Sequence, residues 1–364
     1  MSIVRLDIIN VRNIRSQTIY PSQRFNFIYG QNASGKSALI EAIHILGRAK
    51  SFRTSTIRSV IRFDQEHLIV SGQIQHQDGA NLQLGIQLDG KDVEIRINQQ
   101  RSVKRSDLAY GLPLQIIHPK SFELLDASAQ IRREFMDWGI FNDDPRFLAE
   151  WRKYKKALNQ RNTLLKLKAV EQLDVWNNEL VKYGTIVNTY REQYIQKLKP
   201  ILSATLTRFI NLQNIDIRLI SGWDSSIGLE HSMKADFEKD LRDGFTHSGP
   251  HRDDFLLTIN AKIARDIVSR GQLKLLMICL KLAQVELLFN ENGISSCILL
   301  DDLAAELDNE KRSNVLMFLN NLNCQVFITA TEKQKFGDLV NIENFKMFHV
   351  EHGEIKPDDV PRGT

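Results

Sequence analysis

The run Gly30-Gln31-Asn32-Ala33-Ser34-Gly35-Lys36-Ser37 fits the spacing G-x-x-x-x-G-K-[ST], and each residue type in it suits the handling of phosphate. Gly30 and Gly35 permit backbone torsions that a Cβ obstructs, so that loop N–H groups converge on anionic oxygens. An apolar strand (Phe25-Asn26-Phe27-Ile28-Tyr29) leads in, and Ala38-Leu39-Ile40-Glu41-Ala42-Ile43 leads out as a helix whose positive dipole end faces the same anion. Gln31, Asn32, Ala33 and Ser34 complete the cradle. Lys36 supplies a charge for the terminal phosphates, and the Ser37 hydroxyl is a ligand for Mg²⁺.

Such a cradle needs an acid that reaches the metal. Cys297-Ile298-Leu299-Leu300 reads as a buried strand, and Asp301 and Asp302 follow it. In open α/β sheets ligands bind at the C-terminal ends of strands. Asp301 is therefore the expected Mg²⁺ ligand and Asp302 the residue that polarises an attacking water. A second anion site is expected at Val268-Ser269-Arg270-Gly271-Gln272, where Ser269 and helix N-terminal N–H groups come together; an ordinary helix cap is the alternative.

These motifs need a scaffold, and the chain can build one. Its 364 residues suffice for two or three cores; 42% are hydrophobic and 25% charged, which excludes a wholly disordered chain. The three cysteines lack metal-ligand spacing, two lie in apolar runs, and a reducing, cytoplasmic setting follows. No apolar run is long enough for a membrane span, and the charged opening is not a signal peptide. The net charge of +4 is compatible with nucleic acid without arguing for it.

Strands are expected at residues 3–10, 25–29, 67–76, 82–88 and 93–97, the last two forming a hairpin about Asp89-Gly90-Lys91. Residues 145–200 read as at least two long helices forming an arm. Helices at 272–289 and 311–319 alternate with strands at 295–300 and 324–329, which implies a parallel sheet. Residues 356–364 are expected to fray.

Residues 146–168 hold eight Lys or Arg against one acid, Glu150, a net +7. This is either a solvated helix face or a phosphate-tracking surface, with Arg152, Lys153, Lys155 and Lys156 as the DNA contacts. No base-reading element is visible, so little sequence preference is expected. His247 and His251 flank Gly249-Pro250, which interrupts any metal-binding helix; a structural turn or a DNA or dimer contact is expected of this block. Arg12, after the first strand, is either a nucleotide contact or an exposed loop residue.

Taken in order, the loop at 30–37, Ser269-Arg270-Gly271-Gln272, Asp301-Asp302 and Ala305-Glu306-Leu307-Asp308 resemble the four motifs of ABC-type ATPases. The opening Leu6-Asp7-Ile8-Ile9-Asn10-Val11-Arg12-Asn13, the block from Pro119 to Asp137 and Thr246-His247-Ser248-Gly249-Pro250-His251-Arg252-Asp253-Asp254 narrow the resemblance to the RecF family of bacterial recombination and repair ATPases. It covers nearly the whole chain. It implies an SMC- and Rad50-like head without the long coiled coil: an α/β P-loop fold with mixed parallel and antiparallel sheets plus an α-helical second lobe. Residues 1–120 and 290–364 would form the ATPase lobe, and 121–289 the helical lobe with arm and signature.

The resemblance further implies ATP and Mg²⁺ as cofactors and an ATP-dependent homodimer on gapped or single-strand/double-strand DNA. It implies action with RecO and RecR in recombinase loading. Ser269 and Gly271 would meet the γ-phosphate held by the other subunit, and Asp308 would lie at the dimer seam. Three departures stand out: Ala33 where the family usually has Gly, Asp302 where most ABC ATPases have Glu, and Thr329-Ala330-Thr331 where a switch His is expected. The shorter Asp302 implies slow turnover. Two other readings are a DNA-binding adaptor that uses ATP as structural glue and a P-loop kinase.

Overall fold

The structure is a computed structural model that describes residues 1–364 apart from 77, 78, 103, 211, 213, 303–306, 338, 340, 341 and 359–364. The chain divides into two compact units, Met1–Ser121 with Leu288–Thr364, and Phe122–Leu287.

The first unit opens with β1 (Ser2–Val11) and β2 (Ile14–Ile19), followed by β3 (Phe25–Tyr29) and α1 (Lys36–Arg48). Next come β4 (Leu68–Gln75), β5 (Asn81–Leu88), β6 (Val93–Ile97), β7 (Gln100–Ser102), α2 (Arg105–Gly111) and β8 (Leu114–Ile117). An antiparallel sheet has the order β2-β1-β4-β5-β6-β7. Alternation decides its faces: Leu6, Ile8, Val70, Ile74, Leu84 and Ile86 point to the core. Leu39, Ile43 and Leu46 of α1 join the same core. The β5–β6 turn holds four residues, since Leu88 pairs with Val93 and Asp89 N–H reaches Asp92 O at 3.4 Å. β2, β7 and β8 escape the reading by periodicity; the last two span only three and four residues.

The second unit contains α3 (Ala129–Asp143), α4 (Phe147–Leu167) and α5 (Leu173–Phe209). Leu180, Gly184, Val187, Arg191, Leu198, Leu202 and Leu206 form the buried stripe of α5 at helical spacing. Past the range 145–200 read as helical, α5 runs on through Pro200 to Phe209. Pro200 lies on the exposed face, where water can satisfy the carbonyl that its missing N–H leaves free. The unit also holds strands, which an α-helical lobe does not anticipate: β9 (Ile215–Ile220), β10 (Asp254–Ile259) and β11 (Lys262–Ile263) make an antiparallel sheet. The helix α6 (Arg270–Asn292) follows.

The remaining elements are β12 (Cys297–Leu300), α7 (Asn309–Asn321), β13 (Gln325–Ala330), β14 (Phe345–Glu351) and β15 (Glu354–Asp358). They complete the second sheet of the first unit, ordered β15-β14-β3-β13-β12-β8. Neighbours from β14 to β8 are parallel, and β15 is an antiparallel edge. The fraying expected at 356–364 is incorrect for Lys356, Pro357 and Asp358, which pair with His349, Phe348 and Met347. Residues 359–364 lie outside the described residues. Cys279, Cys297 and Cys324 are all buried free thiols, and burial pushes each thiol pKa upward. Among the described residues no helix is long and apolar enough to cross a membrane.

Candidate nucleotide site

β3 delivers the chain into a tight loop. Gly30 has φ 156°, and a Cβ there would meet Val350 O at 2.1 Å. Gly35 has φ 124° and precedes α1 directly. The Ser34 carbonyl is held on the outer side of the loop by Gly353 N–H (2.8 Å) and Asn13 Nδ2 (2.9 Å). The β14–β15 turn and the β1–β2 turn therefore buttress the cradle from elements far apart in sequence. Ala33, at the position that departs from the family pattern, has φ 63°, a left-handed conformation that costs a residue with a Cβ about 1 kcal/mol.

Lys36 Nζ donates to Gly30 O (2.7 Å) and Gln31 O (2.8 Å). Its pKa is lowered by burial, against the raising influence of Asp302 and Asp301. The ammonium is thus bonded to neutral carbonyls in a partly desolvated loop, an arrangement that an anion would stabilise.

The acids arrive from β12. All four strand residues are buried, and Asp301 N–H donates to Ile117 O at 2.9 Å. Ser37 Oγ donates to Asp301 Oδ1 at 3.1 Å, so the two expected metal ligands meet. Thr329 is on β13, which lies between β3 and β12. Its Oγ1 donates to Asp301 Oδ1 (2.8 Å) and accepts the Asp302 N–H (2.8 Å). Asp302 itself is left-handed, with φ 56°. Burial raises the Asp301 pKa, while Thr329, Ser37 and the charge of Arg53 lower it.

Thr329 thus positions both acids. Thr329→Val keeps the shape and removes the hydroxyl. Losing that bond loosens Asp301, and the Mg²⁺ concentration needed for half-maximal ATP turnover is expected to rise about tenfold or more. A magnesium titration of turnover in the variant checks this; an unchanged requirement contradicts the role.

The loop and acids suit a magnesium-bound nucleoside triphosphate. Beyond the glycines and the Ser37–Asp301 pair, two hydroxyls support the fit: Ser34 Oγ and Thr331 Oγ1 are buried without a hydrogen-bond partner among the described residues. Ala330 pairs with Tyr29, which places Thr331 beside Gly30 at the ends of adjacent strands. A buried orphan hydroxyl costs about 1–3 kcal/mol, so both are candidates to bond a ligand.

In the second unit, Ser269 and Gln272 form a reciprocal capping box at α6. Ser269 N–H donates to Gln272 Oε1 (2.9 Å), and Gln272 N–H donates to Ser269 Oγ (3.2 Å). The cap reading is therefore correct as local structure. Ser269, Arg270, Gly271 and Gln272 are all exposed, leaving the helix N-terminus accessible. Asp308 caps α7 by accepting Lys311 N–H (2.9 Å); the Lys311 bonds hold its carboxyl below the usual range. Ala305 and Glu306 lie outside the described residues.

Other expectations change. Arg12 is not a loose loop residue: it pairs with buried Glu41 at 2.8 and 2.9 Å and donates to Ser59 O at 2.6 Å. Arg161, counted in the basic run, is 1% exposed and bonded to Asp240 (2.7 Å) and Thr246 (2.8 Å). Arg146 pairs with Asp144 and Lys153 with Glu150, so the positive excess of that helix surface is smaller than its sequence count. Arg152, Lys153 and Lys156 are exposed, and Lys155 is half-buried over Trp151.

The block 246–254 is a packed turn. His247 contacts Asp240 (2.7 Å) and Asp243 (3.2 Å). His251 lies between Tyr154 Oη (2.6 Å) and Thr246 O (2.9 Å), and burial lowers its pKa to about 4. Asp253 pairs with buried Arg191 at 2.8 Å.

Residues 2–356 match the family described as "RecF/RecN/SMC N terminal domain". The DNA replication and repair protein RecF of Pseudomonas fluorescens (strain Pf0-1) is 39% identical over 98% of each chain. A solved recombination mediator protein RecF with ATP, of the RecFOR pathway, superposes with a TM-score of 0.86 at 27% identity, covering 98% of each chain. An Smc head bound to the C-winged helix domain of ScpA shares the fold at a TM-score of 0.58 and 14% identity, with 98% of this chain and 97% of that one covered. The architecture is that of an ABC-type ATPase head, and the chain belongs to the RecF family within the RecF/RecN/SMC group.

Proposed function

We propose that this RecF-family chain is a slow, DNA-linked ATPase of replication and repair that dimerises on ATP. The observation that carries the reading is the Ser37–Asp301 contact at 3.1 Å behind the Gly30–Gly35 cradle. Backbone N–H groups of residues 30–37 and Lys36 hold the phosphates, and Ser37 with Asp301 holds Mg²⁺. When bound, the metal neutralises phosphate charge. Thr329 keeps Asp301 and Asp302 in register, and Asp302 orients water for attack. The chemistry is mostly electrostatic positioning.

The exposed Ser269–Gly271 helix start serves the partner chain: its N–H groups and the Ser269 hydroxyl cover the terminal phosphate bound by the other subunit. Asp308 lies near that seam. Arg152, Lys153, Lys155 and Lys156 track DNA phosphates with little sequence preference. RecO and RecR are the partners that family membership suggests, in the cytoplasm.

Ser269→Asp tests the shared site without losing the helix cap, since Asp caps as well as Ser but repels phosphate. The variant is expected to bind ATP normally and fail to dimerise with it. A normal ATP-dependent dimer on sizing would reject the composite site.

The exposed start of α6 serves equally a second reading, an adaptor in which nucleotide glues two chains and turnover is incidental. Membership of the RecF family sets the kinase reading aside.

A further inference from the structure

A groove of about 570 Å³ in the first unit is lined by residues 49–55 and Ile57, by Lys91, Asp92 and Val93 at the β5–β6 turn, and by Arg105 at the start of α2. Lys50, Arg53, Lys91 and Arg105 face it with one carboxylate, Asp92, and all five are exposed. Among the described residues none of the four cations is in an ion pair. Unpaired cations converging on a concave surface repel one another, a cost that a polyanion removes.

The groove is also built. Ser51 Oγ accepts N–H bonds from Arg53 (3.0 Å) and Thr54 (3.2 Å) and donates to Glu41, the carboxylate that holds Arg12. The cation-bearing loop is therefore fastened to α1, the helix that starts at Lys36. Phe52 is half-buried in the groove wall, its ring against His44 and His118 at centroid distances of 5.5 and 5.1 Å. Ser55 and Thr54 add hydroxyls.

We propose that this groove binds a nucleic-acid single strand through its phosphodiester backbone, with a base against Phe52. Cations along a groove with an aromatic wall are the elements that hold a flexible strand. A duplex keeps its bases stacked inside and offers such a concavity phosphates alone. The site rests on the DNA-binding reading above and uses none of the α4 residues named there.

The test compares the full wild-type chain with the double variant Lys91→Gln/Arg105→Gln, neither residue being part of the nucleotide site. Fluorescence anisotropy reads binding of a labelled oligothymidylate and of a blunt duplex across a salt series, with ATP binding measured in parallel. Single-strand affinity is expected to fall on the order of tenfold, and the salt slope by about 1.4, from two contacts at ~0.7 each. ATP affinity and thermal unfolding are expected to stay unchanged.

Unchanged single-strand affinity and slope in a variant whose parent binds would overturn the groove and leave the DNA-binding reading standing. An equal loss for duplex would overturn the single-strand assignment. Displacement by an acidic peptide of equal charge as effective as oligonucleotide would assign the groove to a protein partner and also overturn it. A wild-type chain that binds neither oligonucleotide would overturn the DNA-binding reading itself.

Discussion

Lys36→Ala is expected to reduce ATP affinity on the order of 100-fold or more, from the loss of charge-assisted bonds to phosphate. The ammonium is already in place, bonded to Gly30 O and Gln31 O in the cradle. Burial depresses its pKa, so its charged form is under-stabilised until an anion joins it. Lys36→Arg should fail to rescue, because a planar fork cannot replace a compact charge held by two carbonyls of a tight loop. Titration of a fluorescent ATP analogue reads both variants. Wild-type affinity in Lys36→Ala would reject the cradle as the nucleotide site.

Asp302→Asn is expected to lower kcat by about 10²–10⁴-fold, the usual range for a positioned proton acceptor, while ATP binding and the ATP-dependent dimer survive. The amide preserves size and leaves the main-chain bond to Thr329 intact, since that bond uses the Asp302 N–H. The left-handed backbone at Asp302 is tolerated by Asn as well as Asp. Single-turnover hydrolysis with sizing separates the outcomes. A trapped dimer that no longer supports repair marks hydrolysis as necessary. Persisting repair favours the adaptor. An unchanged kcat removes Asp302 from the chemistry.

The parts of the site that are contiguous in sequence were legible before any coordinates. The loop at 30–37 and the acids after residue 300 each carry their chemistry within a few residues, and the strands that present them are short, buried and apolar but for Asn26. What stayed hidden depends on strand order. Thr329 touches Asp301 because β13 lies between β3 and β12, and no local pattern states that order. Asn13 and Gly353 hold the Ser34 carbonyl from turns 340 residues apart in number, which only the folded sheet edges bring together. Thr331 was visible as a residue in an unexpected place, but its orphan hydroxyl is a property of packing.

Charge was the least legible quantity. Arg161 looked like one more cation on a basic helix, yet Asp240, 79 residues away, neutralises it in the core. The groove at Lys50, Arg53, Lys91 and Arg105 is the converse, with scattered cations that folding collects. Helix and strand boundaries failed for physical reasons too. An exposed Pro200 did not stop a helix held by its buried stripe, and Pro357 was admitted on an edge strand, where proline is tolerated.

Sedimentation of the Asp302→Asn chain at saturating ATP and Mg²⁺, beside ADP and no nucleotide, asks most directly whether two chains complete one pocket. A doubled mass with two nucleotides per dimer, seen with ATP alone, is the predicted result. A monomer mass with ATP fully bound would contradict it.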